Sequence, residues 1–289
     1  MKNIRNLAFL LLGVFVLTSL PSCNKDKMTP ADKKISKIYY QDDDNQKTLV
    51  EQWKWNNDDF VESIENFDED GGMLFTIDFT YADKDRISRV DCYYANLSLL
   101  YNYTDKQLTN LSLYFGTMLV ASCDVTYKDK KMSQLTATLN EEIMGAKKLL
   151  PAMNPLSMLL PRPISERLIS FEDHLAQRGG QQTYVVNVQL TWDGDNITKV
   201  LGQGMGETVT LTALYDTKNN PVYGFLLGQT GGSLVKNNIV TISASESSYD
   251  TETFSITYQY DEDDYPIVMS AFPSDEPVDK ETIYIEYLL

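Results

Sequence analysis

The sequence predicts a mainly β fold, an antiparallel meander of about 16 strands built from repeated hairpins, either a curved sheet or a barrel-like wall. Three observations carry this. Several stretches alternate with period two. In Phe75-Thr-Ile-Asp-Phe-Thr-Tyr81 the apolar residues share one face, and Thr76, Asp78 and Thr80 share the other. Each such run ends on an aromatic residue: Trp55, Tyr81, Tyr103, Tyr127, Trp192, Tyr215 and Tyr260. A polar stretch follows each, and the apolar pattern restarts at Phe60, Ile87, Leu108, Met132, Ile197, Val222 and Ile267. The anchors are spaced 26, 22, 24, 65, 23 and 45 residues apart. The two long gaps come close to three and two periods of about 22, the length of two strands and a turn.

The first 22 residues are read as a targeting segment and not as fold. Lys2 and Arg5 make a positive start, and Leu7 to Leu17 is too short an apolar run to span a membrane. Leu20-Pro-Ser-Cys23 is similar to a bacterial lipobox, so residues 1–22 are expected to be removed and Cys23 to carry the lipid. Residues 23–34 then form a lipidated cysteine and a polar tether, and residues 35–289 a single β domain. Asn24 is not the aspartate that retains lipoproteins at an inner membrane, so an outer membrane is expected, with the protein facing the periplasm or the outside. Removing the signal leaves 23 Lys+Arg against 41 Asp+Glu, a net charge of −18. That surface repels phosphate backbones, which disfavours nucleic acid as a partner. Membrane attachment must therefore come from the lipid on Cys23.

Along the β domain, Val186, Val188, Leu190 and Trp192 oppose Asn187, Gln189 and Thr191, and Phe254, Ile256, Tyr258 and Tyr260 repeat the scheme. The polar knots, such as Asp193-Gly-Asp-Asn196, supply residues that tolerate positive φ in turns. The aromatic before each knot is expected to close the inward face of its hairpin. Cys92 shares a face with Val90 and Tyr94, and Cys123 with Val125 and Tyr127, so all are expected inward. Three strand steps of about 4.8 Å put the two cysteines roughly 14 Å apart, so two free, buried thiols are predicted.

Residues 140–180 break the rhythm. Asn140-Glu-Glu, Asn154-Pro155 and Ser165 to Gly180 read as three short helices with proline and glycine stops, giving a helical insert over 141–178. Its Leu/Met cluster at 149–160 is expected to cover the apolar face of the sheet.

Catalytic signals are weak. His174 is the single histidine, in the expected third helix, and no Gly-x-Ser-x-Gly presents a nucleophile. Gly202-Gln-Gly-Met-Gly206 lacks dinucleotide spacing and leads into a strand. Asn66-Phe-Asp68-Glu-Asp70-Gly71 matches the opening of an EF-hand loop, but Ile77 stands where the bidentate glutamate belongs. Asn66, Asp68 and Asp70 are weak calcium candidates, and no cofactor or catalytic residue is expected.

The segments Phe79 to Val90, Tyr103 to Leu111 and Thr191 to Val200 repeat an aromatic-x-x-Asp-x-x-apolar hairpin. With the lipobox, the insert and the acidic balance, the chain resembles the Bacteroidetes lipoproteins of unknown function with a porin-like fold. The hairpins also look like tyrosine-aspartate repeats of the Rhs type, without that motif's turn glycines. The resemblance implies fold and compartment and offers no catalytic residues. The function expected is a non-catalytic binding or surface-interaction lipoprotein, with carbohydrate as the leading ligand class and Trp53, Trp55 and Trp192 as weak stacking candidates. A structural or assembly role in the cell envelope, through sheet edges or the Met/Leu insert, is the alternative. A two-carboxylate hydrolase ranks below both.

Overall fold

The computed structural model describes residues 33–140, 183–223 and 235–288, apart from positions 43, 69, 84–85, 106, 205–206, 247–248 and 275–279. The signal, Cys23, the insert at 141–178 and His174 lie outside the described residues. Sixteen strands follow one another: β1 Ile35–Gln41, β2 Lys47–Trp55, β3 Val61–Phe67, β4 Met73–Asp83, β5 Arg86–Cys92, β6 Leu97–Thr104, β7 Gln107–Phe115 and β8 Met118–Lys128. They continue as β9 Lys131–Asn140, β10 Thr183–Asp193, β11 Asn196–Gly204, β12 Glu207–Tyr215, β13 Ile239–Glu246, β14 Tyr249–Tyr260, β15 Pro266–Pro273 and β16 Glu281–Tyr287. Each pairs antiparallel with its neighbours in sequence, and β1 pairs with β16 to close a barrel. The expected meander is therefore a closed one. Its seam pairs Tyr39 with Tyr284 and leaves no free sheet edge, so assembly through sheet edges is not available to this fold.

The wall has an apolar inner face and a polar outer face. Val186, Val188 and Leu190 on β10 are buried, while Gln189 and Thr191 between and beyond them are exposed. One core cluster runs around the wall, from Ile35 and Trp53 through Ile87, Leu108, Met132, Val186 and Ile197 to Ile283. Outside, polar side chains bridge the strands. Asn102 donates to Asn110 at 3.3 Å and Asn110 to Asp124 at 2.8 Å, Thr136 donates to Asn187 at 3.1 Å, and Ser270 meets Thr282 at 2.9 Å. Lys54 pairs with Glu65, and Arg89 with Asp91, on the same outer face. A barrel crossing a bilayer shows the reverse, with an apolar band outward and polar groups inward.

Odd strands run away from the rim where the described chain enters, and even strands return to it. Every turn at this near rim shows the same construction. The ladder slips by one residue just before the anchor aromatic, at Lys54/Trp55, Thr80/Tyr81, Asn102/Tyr103, Thr126/Tyr127, Thr191/Trp192, Leu214/Tyr215 and Gln259/Tyr260. A bulge opens the ladder locally and frees backbone carbonyls. The anchor turns inward and satisfies one of them. Trp55, Tyr81, Tyr103, Trp192, Tyr215, Tyr258 and Tyr287 donate, at 2.5–2.8 Å, to the carbonyls of Ile35, Val61, Ile87, Met132, Ile197, Ile239 and Pro266. Each acceptor lies at the start of the strand paired with the donor's own, so these seven bonds latch their hairpins across the open ends.

The bulged residue serves a second carbonyl, on the outer side. Ser36, Ser88, Thr109, Ser133 and Thr198 donate to the carbonyls of Glu286, Thr80, Asn102, Thr126 and Thr191 at 3.1–3.4 Å. The residue before the acceptor often places a cation over the latched ring. Lys34 lies 5.8 Å from Trp55, Arg86 5.4 Å from Tyr103 and Lys131 5.4 Å from Trp192. The polar knots turn the chain with left-handed residues, at Asp59, Asp105, Asp129 and Gly194.

One anchor and two strand restarts depart from the sequence reading. Tyr258, not Tyr260, latches its hairpin, because Tyr260 instead donates to Asp216 in the long connection from β12 to β13. Strands resume at Val61 and Ile239 and not at the expected restarts Phe60 and Val222, which lie in the connecting segments. Cys92 and Cys123 are free and buried, as expected, on strands three steps apart. Cys123 sits in the main core, where burial raises its thiol pKa to about 12. Cys92 joins a second, smaller cluster with Ala95 and Leu97.

Candidate functional site

The near rim gathers the described ends of the chain. Leu288 donates its amide to the carbonyl of Lys34 at 2.8 Å, and Lys33 bridges Asp261 and Asp263 at 2.7 Å each. Asp216 fixes the connection between β12 and β13 by accepting from the amides of Lys218 and Asn238 at 2.9 and 3.0 Å, and from the Tyr260 hydroxyl. Burial and then this Asp216 contact hold the Tyr260 phenol well above its ordinary range. Asn238 also donates to the carbonyl of Asn219. The polar side chains of this region serve one another and the backbone, which describes a frame.

The three tryptophans among the sequence-predicted site residues belong to the barrel's own frame. Trp53 is buried, and its indole donates to Glu51 at 3.0 Å inside the barrel. Trp55 and Trp192 are half-buried latches whose only ring donors are committed to backbone carbonyls. None of the three offers a free ring face with an open donor for a sugar. Asn66 is buried, with its amide toward the Ile64 carbonyl, while Asp68 stands in the next turn. There Asp68 Oδ1 accepts from the amides of Asp70 and Gly72 at 3.1 and 2.6 Å. The three calcium candidates thus split between the barrel interior and a turn. Among the described residues no group of three or more His, Cys, Asp or Glu side chains is placed to hold a metal ion.

The far rim is different. Five large apolar side chains are exposed on three successive hairpin tips. Met73 opens β4, Tyr93 and Tyr94 occupy the turn from β5 to β6, and Met118 and Leu119 open β8. Tyr93 is 72% and Tyr94 80% exposed. The inward placement expected for Tyr94 is corrected here. β5 stops at Cys92, and residues Tyr93–Ala95 form a 3-10 turn closed by Asn96 in the left-handed region. Period two therefore ends two residues too early for Tyr94, and the turn swings both rings outward.

The tip is fixed from below. Cys92, Ala95 and Leu97 are buried against Phe75, Leu113 and Phe115, which belong to the strands of the flanking tips. Asn96 accepts from the Gly116 amide at 2.8 Å, which ties the middle tip to the turn between β7 and β8. Gly116 has φ +59, and a Cβ there would come within 3.1 Å of the Asn96 amide nitrogen, so the close approach uses glycine's freedom. Two exposed tyrosines on a rigid turn lose little entropy when something binds them. Parity reasoning missed them; the signal available in the sequence was Asn96 after three residues without alternation.

No family model matches the chain, and no curated protein matches it. Among solved structures it is similar to a porin-like protein from Bacteroides vulgatus. The two share 10% identity with a TM-score of 0.51, over 89% of this chain and 99% of that one. A porin-like protein from Bacteroides uniformis matches with 10% identity and a TM-score of 0.50, over 88% of this chain and 96% of that one. At this identity the likeness shows the shared fold alone. The chain is in class a closed 16-strand antiparallel barrel of porin-like fold with its apolar face inward.

Proposed function

We propose that this barrel is a non-catalytic interaction module held at the outer membrane by a lipid on Cys23, with its far rim presented to what it binds. The observation that carries the reading is the polar outer wall around an apolar interior. Embedding that wall in lipid would strip water from paired charges such as Lys54–Glu65 and Arg89–Asp91. Attachment therefore falls to a tether. From Cys23 to Lys33 the chain spans at most about 35 Å, at roughly 3.5 Å per residue. Lys33 is stapled to the near rim, so the tether holds that rim toward the membrane and leaves the far rim pointing away.

A protein partner in the envelope is the favoured ligand class, because the exposed far-rim side chains are tyrosine, methionine and leucine, the types that core a protein interface. A neutral glycan is the second reading, supported by the Tyr93 and Tyr94 rings alone. The test is an engineered protease site within residues 24–32 of the full chain in cells. Cleavage should release a folded barrel into the aqueous phase, and palmitate label should stay behind on the membrane. A barrel that remains in the membrane after complete cleavage sinks the tethered reading.

A further inference from the structure

We infer that the three far-rim tips form one docking surface, built from Met73, Tyr93, Tyr94, Met118 and Leu119, for a protein partner whose apolar patch is rimmed by lysine and arginine. This rests on the reading of the barrel as a tethered interaction module and names its site and the chemistry of its partner.

The clustering is the first argument. Among the described residues eight large apolar side chains are exposed, and these five sit on three successive hairpin tips. The remaining three, Val185, Leu214 and Leu288, lie on other strands or at the chain end. Scattered single apolar residues are ordinary on a surface, whereas a contiguous group marks an interaction site.

Rigidity is the second. The rings stand on a turn anchored by the buried Cys92–Ala95–Leu97 cluster and by the bond from Gly116 to Asn96. The surface keeps its shape before binding, as interface anchors do.

Charge selects the partner. The Met73 tip itself carries Asp68 and Asp70, and the neighbouring tip between β1 and β2 carries Asp42 and Asp44. Of the cations described near them, Lys47 lies 3.3 Å from the Tyr284 ring on the outer wall at the seam, and Lys280 precedes β16 on the side of the seam away from the three tips. An apolar centre with an acidic border complements an apolar patch bordered by basic residues. A sugar would use the rings, but it would leave Met73, Met118 and Leu119 without a role.

The experiment is site-specific photocrosslinking in cells with the full chain. A benzophenone amino acid replaces Tyr93, Tyr94 or Met118, and as controls Thr257 on the outer wall of β14 or Asp263 at the near rim. One and the same protein should crosslink from the three tip positions and from neither control, and its contact region should be apolar with a Lys/Arg border. The yield from position 94 should fall by about tenfold or more when Met118→Asp is added, and should drop at high salt. Met118→Asp places a charge on the tip, so Leu119→Ala serves as a milder second variant, and each must keep the wild-type melting temperature.

No crosslink at the tips overturns the inference, as does a crosslink to a second copy or to the chain's own residues 141–182. A partner with an acidic contact region, or a glycan that protects Tyr93 and Tyr94 and blocks crosslinking, overturns it too. A barrel released by tether cleavage that crosslinks to nothing leaves the tethered module standing and removes the docking surface. A barrel that cannot be released removes the module itself.

Discussion

Tyr81 and Tyr94 are the same residue type at opposite rims of one wall, and they do opposite things. Tyr81 follows a bulge, turns inward, and donates to the Val61 carbonyl at 2.7 Å. Burial pushes its phenol well above the ordinary range. Tyr94 sits in a 3-10 turn and is 80% exposed. The difference lies in the backbone and not in the side chain. Unbroken alternation from Phe75 carries Tyr81 to the inner face, beside a bulge at Ser88 on the partner strand, whereas a tight turn after Cys92 ends the alternation and swings the far-rim pair outward. Residue type therefore says little about role in this repeat, and position relative to the nearest bulge or turn says a great deal.

The comparison can be broken by substitutions that should differ by rim. The largest effect belongs to the near-rim core. Leu108 is fully buried beneath the latches, and Leu108→Ala should cost about 2–5 kcal/mol in denaturant unfolding. A cost below 1 kcal/mol would mean that the interior is loosely packed at that level. Next comes the latch itself. Tyr81→Phe keeps the ring and removes the donor to Val61, which should cost about 1 kcal/mol. Tyr94→Ala at the far rim should stay within about 0.5 kcal/mol of wild type. Equal losses for these two tyrosines would erase the distinction between frame and surface. Smaller still, Ser88→Ala removes an exposed bond of 3.1 Å to the Thr80 carbonyl. It should cost a few tenths of a kcal/mol, since water can take the hydroxyl's place.

Much of the frame was legible because it repeats. The alternation of Phe75 to Tyr81 set the faces of β4, and the spacing of Trp55, Tyr81, Tyr103, Trp192 and Tyr215 located the latches before their partners were known. Two buried free thiols followed from the same parity. Barrel closure was not legible, because the pairing of Tyr39 with Tyr284 joins positions at the two ends of the domain and no local pattern encodes it. The latch partner was hidden for a related reason: a backbone carbonyl carries no residue signature. Tyr94 was misplaced because alternation was extended through a turn, and the tryptophans were offered to a ligand because the sequence does not show that Trp55 and Trp192 are committed to Ile35 and Met132.

The smallest expected effect concerns the outer wall between the rims, where stability should depend on pH. Asp78 on β4 stands directly across from Asp91 on β5, a pairing of like charges. Arg89 grips Asp91 at 2.7–2.8 Å, and Ser98 donates to it at 2.5 Å, so Asp91 is compensated within its own neighbourhood. Asp78 is held above its ordinary value of 3.8, first by partial burial, then by Asp91 and Glu62, with Lys54 opposing. An acid whose pKa rises on folding binds its proton more tightly in the native state. Its contribution to stability therefore falls as pH climbs from 3.8 through the raised folded value, and stays lower at neutral pH. Asp78→Asn removes that penalty while keeping the shape. The variant should be more stable than wild type by about 0.5 kcal/mol at pH 7, with the gain vanishing below pH 3.8, where Asp78 is protonated in both states. Paired unfolding curves at the two pH values decide it. A variant that loses stability at pH 7 would show that ionised Asp78 is held by a favourable contact, and that the outer wall, like the near rim, is compensated throughout.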